Sequence, residues 1–85
     1  MKNIADSKRL KKTTAISTEI WQMYKVKYQE LGRYARMTDL EQRKWWENTV
    51  AEFNDYFEKY TGTTHEAYVK GYCIACMNDL RAITR

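Results

Sequence analysis

The sequence contains no proline, only three glycines, two cysteines and a single histidine. The shortage of proline and glycine argues against a fold rich in turns and loops, because these residues set the geometry of most tight turns. The glycines stand alone at Gly32, Gly62 and Gly71, so no glycine-rich phosphate-binding loop is present. Two cysteines and one histidine also fall short of the four protein ligands of a structural zinc site.

Long apolar runs are missing as well. No stretch reaches the roughly 18 consecutive apolar residues that a membrane-spanning helix needs. The first residues lack the apolar core and small-residue cleavage site of a secretory signal. We therefore expect a cytoplasmic protein.

What is present favours helices. The chain has 85 residues, of which 14% are aromatic, and this predicts one domain with a modest core of large side chains. A domain of this size leaves little room for an enzyme built around a deep cleft. We predict an all-α fold, a small antiparallel three-helix bundle with helices near residues 15–36, 39–60 and 64–83.

The net charge of +4 lies entirely at the beginning of the chain. Residues 1–12 contain five basic side chains and one acidic side chain, whereas residues 13–85 contain ten of each sign. We therefore divide the chain into a basic N-terminal arm, residues 1–12, and a helical bundle domain, residues 13–85. A short helix continuous with the next element is the alternative for the arm.

The middle helix has the clearest pattern. Thr38 and Glu41 have the spacing of a capping box, and Gly62 is the glycine expected just past the end of a helix. We expect Trp45 and Tyr56 to lie on an exposed rim beside the buried seam. Apolar residues separated alternately by four and three positions form that seam, as on one face of a helix: Trp46, Val50, Phe53, Phe57 and Tyr60.

The first helix combines a broad apolar face with a basic one. Lys27 falls inside the apolar face, where its ammonium either reaches solvent or meets a carboxylate of the second helix. The predicted apolar face contains Ile16, Ile20, Met23, Tyr24, Tyr28, Leu31 and Ala35, with Trp21 at its edge. The opposite face contains Gln22, Lys25, Gln29, Arg33 and Arg36.

The third helix is predicted to begin with a second capping box, formed by Thr63 and Glu66. Its inner seam consists of Val69, Cys73, Cys76, Leu80 and Ile83. Its other side is unusual for a surface helix, because small or apolar groups occupy it where charges are normally found. These residues are Gly71, Ile74, Ala75, Asn78 and Ala82.

The pair Cys73 and Cys76 has the spacing of a redox motif, but it lies well inside the third helix. Redox cysteines of this type lie at a helix N-terminus, where the helix dipole lowers the thiol pKa. We therefore interpret both as reduced core residues. His65 has no nucleophile in a triad-like context, so the sequence indicates no enzyme, no metal and no cofactor.

The function we predict is a non-enzymatic protein-binding module, an inhibitor or adaptor acting on a larger partner. Small accessory proteins of phages and mobile elements are the analogy, and homodimerisation is an expected use of the third helix. Aromatic residues anchor many interfaces, and this chain has seven tyrosines and three tryptophans. The predicted binding residues are Trp45, Tyr56, Gly71, Ile74, Ala75, Asn78 and Ala82.

The alternative is a small nucleic-acid-binding protein that uses the basic arm and the basic stripe of the first helix. The neutral body and the acidic surface of the second helix argue against it. Its contact residues would be Lys8, Arg9, Lys11, Lys12, Lys25, Arg33 and Arg36.

Overall fold

The computed structural model describes the backbone of residues 4–85 and the side chains of residues 11–85. These residues form three α-helices and no strand: α1 (Ile4–Tyr34), α2 (Asp39–Glu58) and α3 (Glu66–Ile83). The predicted all-α helical bundle is confirmed. Within the described residues, none of the helices is long and apolar enough to cross a membrane.

Helix α1 is longer than predicted. It begins at Ile4 and continues unbroken through residue 12, so the proposed boundary between arm and domain does not coincide with an end of secondary structure. No glycine or proline precedes Gly32 in this segment, and nothing else interrupts the helical hydrogen bonds. The 31 residues of α1 span about 46 Å at 1.5 Å per residue.

The start of α2 forms the predicted capping box. The Thr38 hydroxyl accepts a hydrogen bond from the Glu41 amide at 3.2 Å, and the Glu41 carboxylate accepts one from the Thr38 amide at 2.9 Å. The bond from the Thr38 amide favours the ionised carboxylate and, with a smaller effect of the Thr38 side chain, lowers the pKa of Glu41. At the other end, Gly62 has a φ of 81°, the left-handed conformation expected of a glycine there.

The predicted capping box of α3 is wrong. The helix begins at Glu66, two residues later than predicted, and its N-cap His65 makes no side-chain capping bond. The Thr63 hydroxyl instead donates to the Tyr60 carbonyl at 2.6 Å, and the Glu66 carboxylate accepts from the Gly62 amide at 3.2 Å. Both side chains are used to close the turn after α2 rather than to cap α3.

The core receives residues from all three helices. Thr49 is its buried polar member, and its hydroxyl donates to the Trp45 carbonyl at 2.7 Å. The apolar residues of the core are Ile16 and Ile20 from α1, Trp45, Phe53 and Tyr56 from α2, and Val69, Cys73, Cys76 and Leu80 from α3.

The prediction that Trp45 and Tyr56 form an exposed rim is wrong, because only 8% and 6% of their surfaces are exposed. The neighbouring helices cover both edges of the apolar arc of α2, so the buried part of this helix is wider than the single line of residues that was predicted. Trp45 donates to Glu30 of α1, whereas Trp46 lies 5.0 Å below the Arg81 guanidinium of α3.

Three further residues depart from the predicted faces. Tyr28 and Ile83 were expected to be inward-facing, yet 54% and 48% of their surfaces are exposed. Ile83 is the last residue of α3, where no further turn of helix follows it. Ala35 lies beyond the end of α1 and is exposed.

Lys27 is buried between α1 and α2, with 8% of its surface exposed. Its ammonium lies 2.6 Å from a Glu52 oxygen and 3.4 Å from a Glu30 oxygen. The same Glu30 oxygen accepts a hydrogen bond from the Trp45 indole at 2.9 Å. The expectation that Lys27 meets a carboxylate of the second helix is confirmed.

The contacts between helices follow a definite order along the chain. Lys27 of α1 contacts Glu52 of α2, whereas Glu30, which comes later in α1, contacts Trp45, which comes earlier in α2. The contacts therefore run in opposite order along these two helices. Between α1 and α3 the contacts run in the same order along both helices. Ser17 of α1 is bonded to Tyr68 of α3, and the later residue Tyr24 is bonded to the later residue Asp79.

Replacing the cap of α2 by Thr38→Ala removes the hydroxyl that the Glu41 amide needs. We expect the free energy of unfolding to fall by about 1 kcal/mol, as measured by chemical denaturation followed by circular dichroism. Thr64→Ala is the matched control, since Thr64 is exposed and lies outside a helix. Equal losses in the two variants would show that the cap contributes nothing specific.

The Lys27 network predicts an asymmetry between two variants. Lys27→Met keeps the packed stem and should change the unfolding free energy by less than about 1 kcal/mol. Glu30→Gln/Glu52→Gln leaves a buried ammonium without a counter-charge and should cost about 2 kcal/mol, less than for a fully buried pair because Glu52 is half-exposed.

Denaturation of both variants at neutral pH and low salt tests this asymmetry. If the double glutamine variant is as stable as the wild type, the buried ammonium does not depend on these carboxylates.

Candidate interaction surface

A row of three aromatic side chains follows α1 on the side that faces α3. Trp21 and Tyr24 are stacked with ring centroids 5.6 Å apart, and Tyr24 and Tyr28 are 6.1 Å apart. Half of the surface of Trp21 is exposed, as is 54% of that of Tyr28. Spacings of three and four residues place the three rings on one edge of the helix.

The opposite wall is α3. Tyr72 and Ala75 face the aromatic row across a groove of about 240 Å³, whose lining also includes Trp21, Tyr24, Cys76 and Asp79. The α1 side of the groove is aromatic, whereas the α3 side combines Tyr72 and Asp79 with the small side chains of Ala75 and Cys76. Such an arrangement receives an apolar side chain or the edge of another helix.

Two polar side chains of the groove are hydrogen-bonded to each other. The Tyr24 hydroxyl donates to the Asp79 carboxylate, and this bond, with a smaller effect of burial, raises the pKa of Tyr24 to about 12. The hydroxyls of Ser17 and Tyr68 share a second bond between the helices. These bonds hold α1 and α3 together, so the groove is a fixed feature of the bundle.

The small-residue face of α3 is exposed along its length. A Cβ added at Gly71 would meet no atom within 4 Å, so nothing in the described chain covers that position. Ala75 is the member of this face that also lines the groove. All five predicted residues are exposed, namely Gly71, Ile74, Ala75, Asn78 and Ala82.

The two aromatic residues predicted to complete the binding surface are buried in the core and so offer little surface to a partner. The Trp45 indole is fixed by Glu30. The Tyr56 hydroxyl is buried and has no hydrogen-bond partner among the described residues. Burial, together with nearby Tyr60 and Glu19, raises the pKa of Tyr56.

The basic residues predicted for nucleic-acid binding are spread over the molecule. Arg33 and Arg36 line a second pocket, about 560 Å³ in volume, between the end of α1 and the start of α2. Lys25 is exposed on α1, and the Lys12 ammonium lies 5.7 Å from the ring centre of Tyr60. Lys11 is exposed, and the side chains of Lys8 and Arg9 lie outside the described residues.

Both cysteines are buried in the core and unpaired, in agreement with their interpretation as reduced core residues. Burial raises the pKa of each thiol to about 11. In the part of the chain that the structure describes, no group of three histidine, cysteine or carboxylate side chains is placed to hold a metal ion. His65 lies at the start of α3 with its ring 6.5 Å from that of Tyr60.

Sequence reasoning missed several residues of the two pockets. Tyr28 was assigned to the buried face, and Trp21 was placed only at its edge. The signal available was the spacing of Trp21, Tyr24 and Tyr28, together with the pair Tyr68 and Tyr72 on α3. Nothing in the sequence indicated that α2 contributes Lys44 to the pocket of Arg33 and Arg36.

Comparisons with known proteins add no family: no family model matches the chain, and neither a curated protein nor a solved structure matches it.

The buried thiols should react slowly with Ellman's reagent at pH 8. A rise of the pKa from 9.0 to about 11 leaves about 100-fold less thiolate, and the reagent must also wait for the core to open. The measurement is the absorbance change in native buffer and in denaturant, where both thiols should react promptly. Prompt reaction of both in native buffer would contradict this placement.

Proposed function

We propose that this chain is a non-enzymatic protein-binding module whose α1–α3 groove and adjoining α3 face receive a helix of another protein chain. In this proposal the three helices pack as an antiparallel bundle, and residues 1–12 form a basic arm that extends from it. The cellular role would be that of a cytoplasmic inhibitor or adaptor. The single observation that carries the proposal is the half-exposed aromatic row beside the exposed small-residue face of α3, which the groove meets at Ala75.

The aromatic row supplies the anchors. Trp21 is stacked on Tyr24, and the ring of Tyr28 is tilted against that of Tyr24 at 6.1 Å, so both side chains are already restricted before a partner covers them. Tryptophan and tyrosine are the residue types most enriched among the energetically dominant residues of interfaces. Further burial of these two side chains would stabilise a complex.

The α3 wall supplies close approach. At Gly71 and Ala75 the backbone of an incoming helix meets almost no side-chain bulk, so two helix axes can lie near each other. Gly71 costs about 1 kcal/mol of helix stability relative to alanine. A packing role in a complex explains why a glycine lies on an open helix surface.

Removal of water from the groove also costs little free energy. Its charged member, Asp79, already accepts a hydrogen bond from Tyr24, so a partner need not leave a bare carboxylate buried. A second copy of this chain is the simplest occupant. In a two-fold dimer the same surface serves both subunits, so the exposed Trp21 of one copy can pack against the small Ala75 of the other.

Ala75→Arg should keep the monomer folded, since Ala75 is exposed, yet place a charge and a long side chain in the groove. We expect self-association, or capture of a partner from a nuclease-treated lysate of the native host, to weaken at least about tenfold. Sedimentation velocity and quantitative pull-down give the two readouts.

Ala51→Arg is the matched control, because Ala51 is an exposed alanine on α2 and the change in charge is identical. It should behave as the wild type. A wild-type chain that stays monomeric and captures nothing, or binding that Ala75→Arg leaves intact, would contradict the proposal.

A further inference from the structure

The pocket between the end of α1 and the start of α2 brings three cations together with one carboxylate and with Met37, Trp45 and Asn48. Arg33 and Arg36 approach it from α1 and the following turn, and Lys44 approaches it from α2. All three are exposed, and none forms an ion pair within the described side chains. The carboxylate at the pocket, Glu41, is already occupied by the Thr38 amide.

We infer that this pocket binds the phosphates of a nucleic-acid backbone, and that Lys44 is a contact residue together with Arg33 and Arg36. Three unpaired cations around one concave site attract anions, and arginine presents a planar fork that matches phosphate oxygens. The α1 side of the pocket continues directly into the exposed basic stripe.

The stripe makes the site long enough to contact several phosphates of a nucleic-acid backbone. Gln22, Lys25, Gln29 and Arg33 are all exposed and follow one another at spacings of three and four residues, over about 17 Å of helix. A duplex carries one charge per about 1.7 Å of its axis, so several phosphates fall within this length. The amides between the cations are suitable donors to further phosphate oxygens.

The acidic residues of α1 within the described side chains, Glu19 and Glu30, each lie three residues from a member of the stripe. Glu30 is paired with Lys27, and Glu19 lies within one turn of Gln22 rather than of a cation of the stripe. The acidic side chains of α2 belong to a different helix from the stripe, so a nucleic acid that follows the outer face of α1 need not lie across them.

The stripe suits a nucleic acid better than a membrane surface. A helix that lies on a membrane inserts an apolar face, whereas the apolar face of α1 contributes Ile16 and Ile20 to the core. The stripe itself contains only glutamine, lysine and arginine. The pocket also lies between α1 and α2, away from the α1–α3 groove, so the two binding surfaces do not overlap.

The test measures binding of the full chain to a fluorescein-labelled DNA duplex and to a single strand of the same sequence, by anisotropy at a series of salt concentrations. Three phosphate contacts contribute a slope of about −2.7 to the plot of log binding constant against log salt. This corresponds to about a 40-fold loss of affinity between 50 and 200 mM salt. The variant Arg33→Gln/Arg36→Gln/Lys44→Gln should lose that part of the slope.

The control variant Arg43→Gln/Lys70→Gln/Arg85→Gln removes the same charge from three other exposed residues. It should retain most of the slope, as should the charge-preserving Arg33→Lys/Arg36→Lys/Lys44→Arg. Circular dichroism checks that every variant keeps its helices.

Four results would overturn the inference. They are no binding by the wild type, an unchanged slope in the pocket variant, equal losses in the pocket and control variants, and tighter binding to phosphatidylserine vesicles than to either DNA.

Discussion

The burial of Lys27 is the interaction on which the arrangement of α1 and α2 depends. A lysine on the core face of a helix can remain charged only if carboxylates accompany it, and Glu52 and Glu30 meet it at 2.6 and 3.4 Å. Glu30 also holds the Trp45 indole, which draws that side chain inward. The observed rotation of α2 about its axis satisfies this polar network and the apolar pattern of α2 together.

This rotation decides which surfaces remain available. With Trp45 directed towards α1, its neighbour Trp46 meets α3, and α2 has no large aromatic side chain left to present on a rim. Exposed aromatic surface is found instead on α1, where Trp21 lines the groove shared with α3 and Tyr28 continues the same aromatic row. At the far end of α1, the same packing brings Lys44 to the pocket of Arg33 and Arg36.

The two surfaces differ in their physical character. The α1–α3 groove is largely aromatic and its carboxylate, Asp79, is hydrogen-bonded to Tyr24, so removal of water is the main contribution the groove can make to binding. The α1–α2 pocket is open and cationic, so its contribution would weaken as salt increases. A bundle of three short helices can present both because each groove between helices is lined by a different pair of faces.

Local rules in the sequence determined the helix count, the capping box of Thr38 and Glu41, the left-handed Gly62 and the inner positions Val69, Cys73, Cys76 and Leu80. These features depend on neighbours within one or two turns. Tertiary packing decided the burial of Trp45 and Tyr56 and the exposure of Tyr28. Thr63 and Glu66 also form local bonds, but to the turn after α2 rather than to the start of α3, and their spacing fits both. The periodicity of one helix defines an apolar arc, but the two helices that cover its edges decide how wide the buried part becomes.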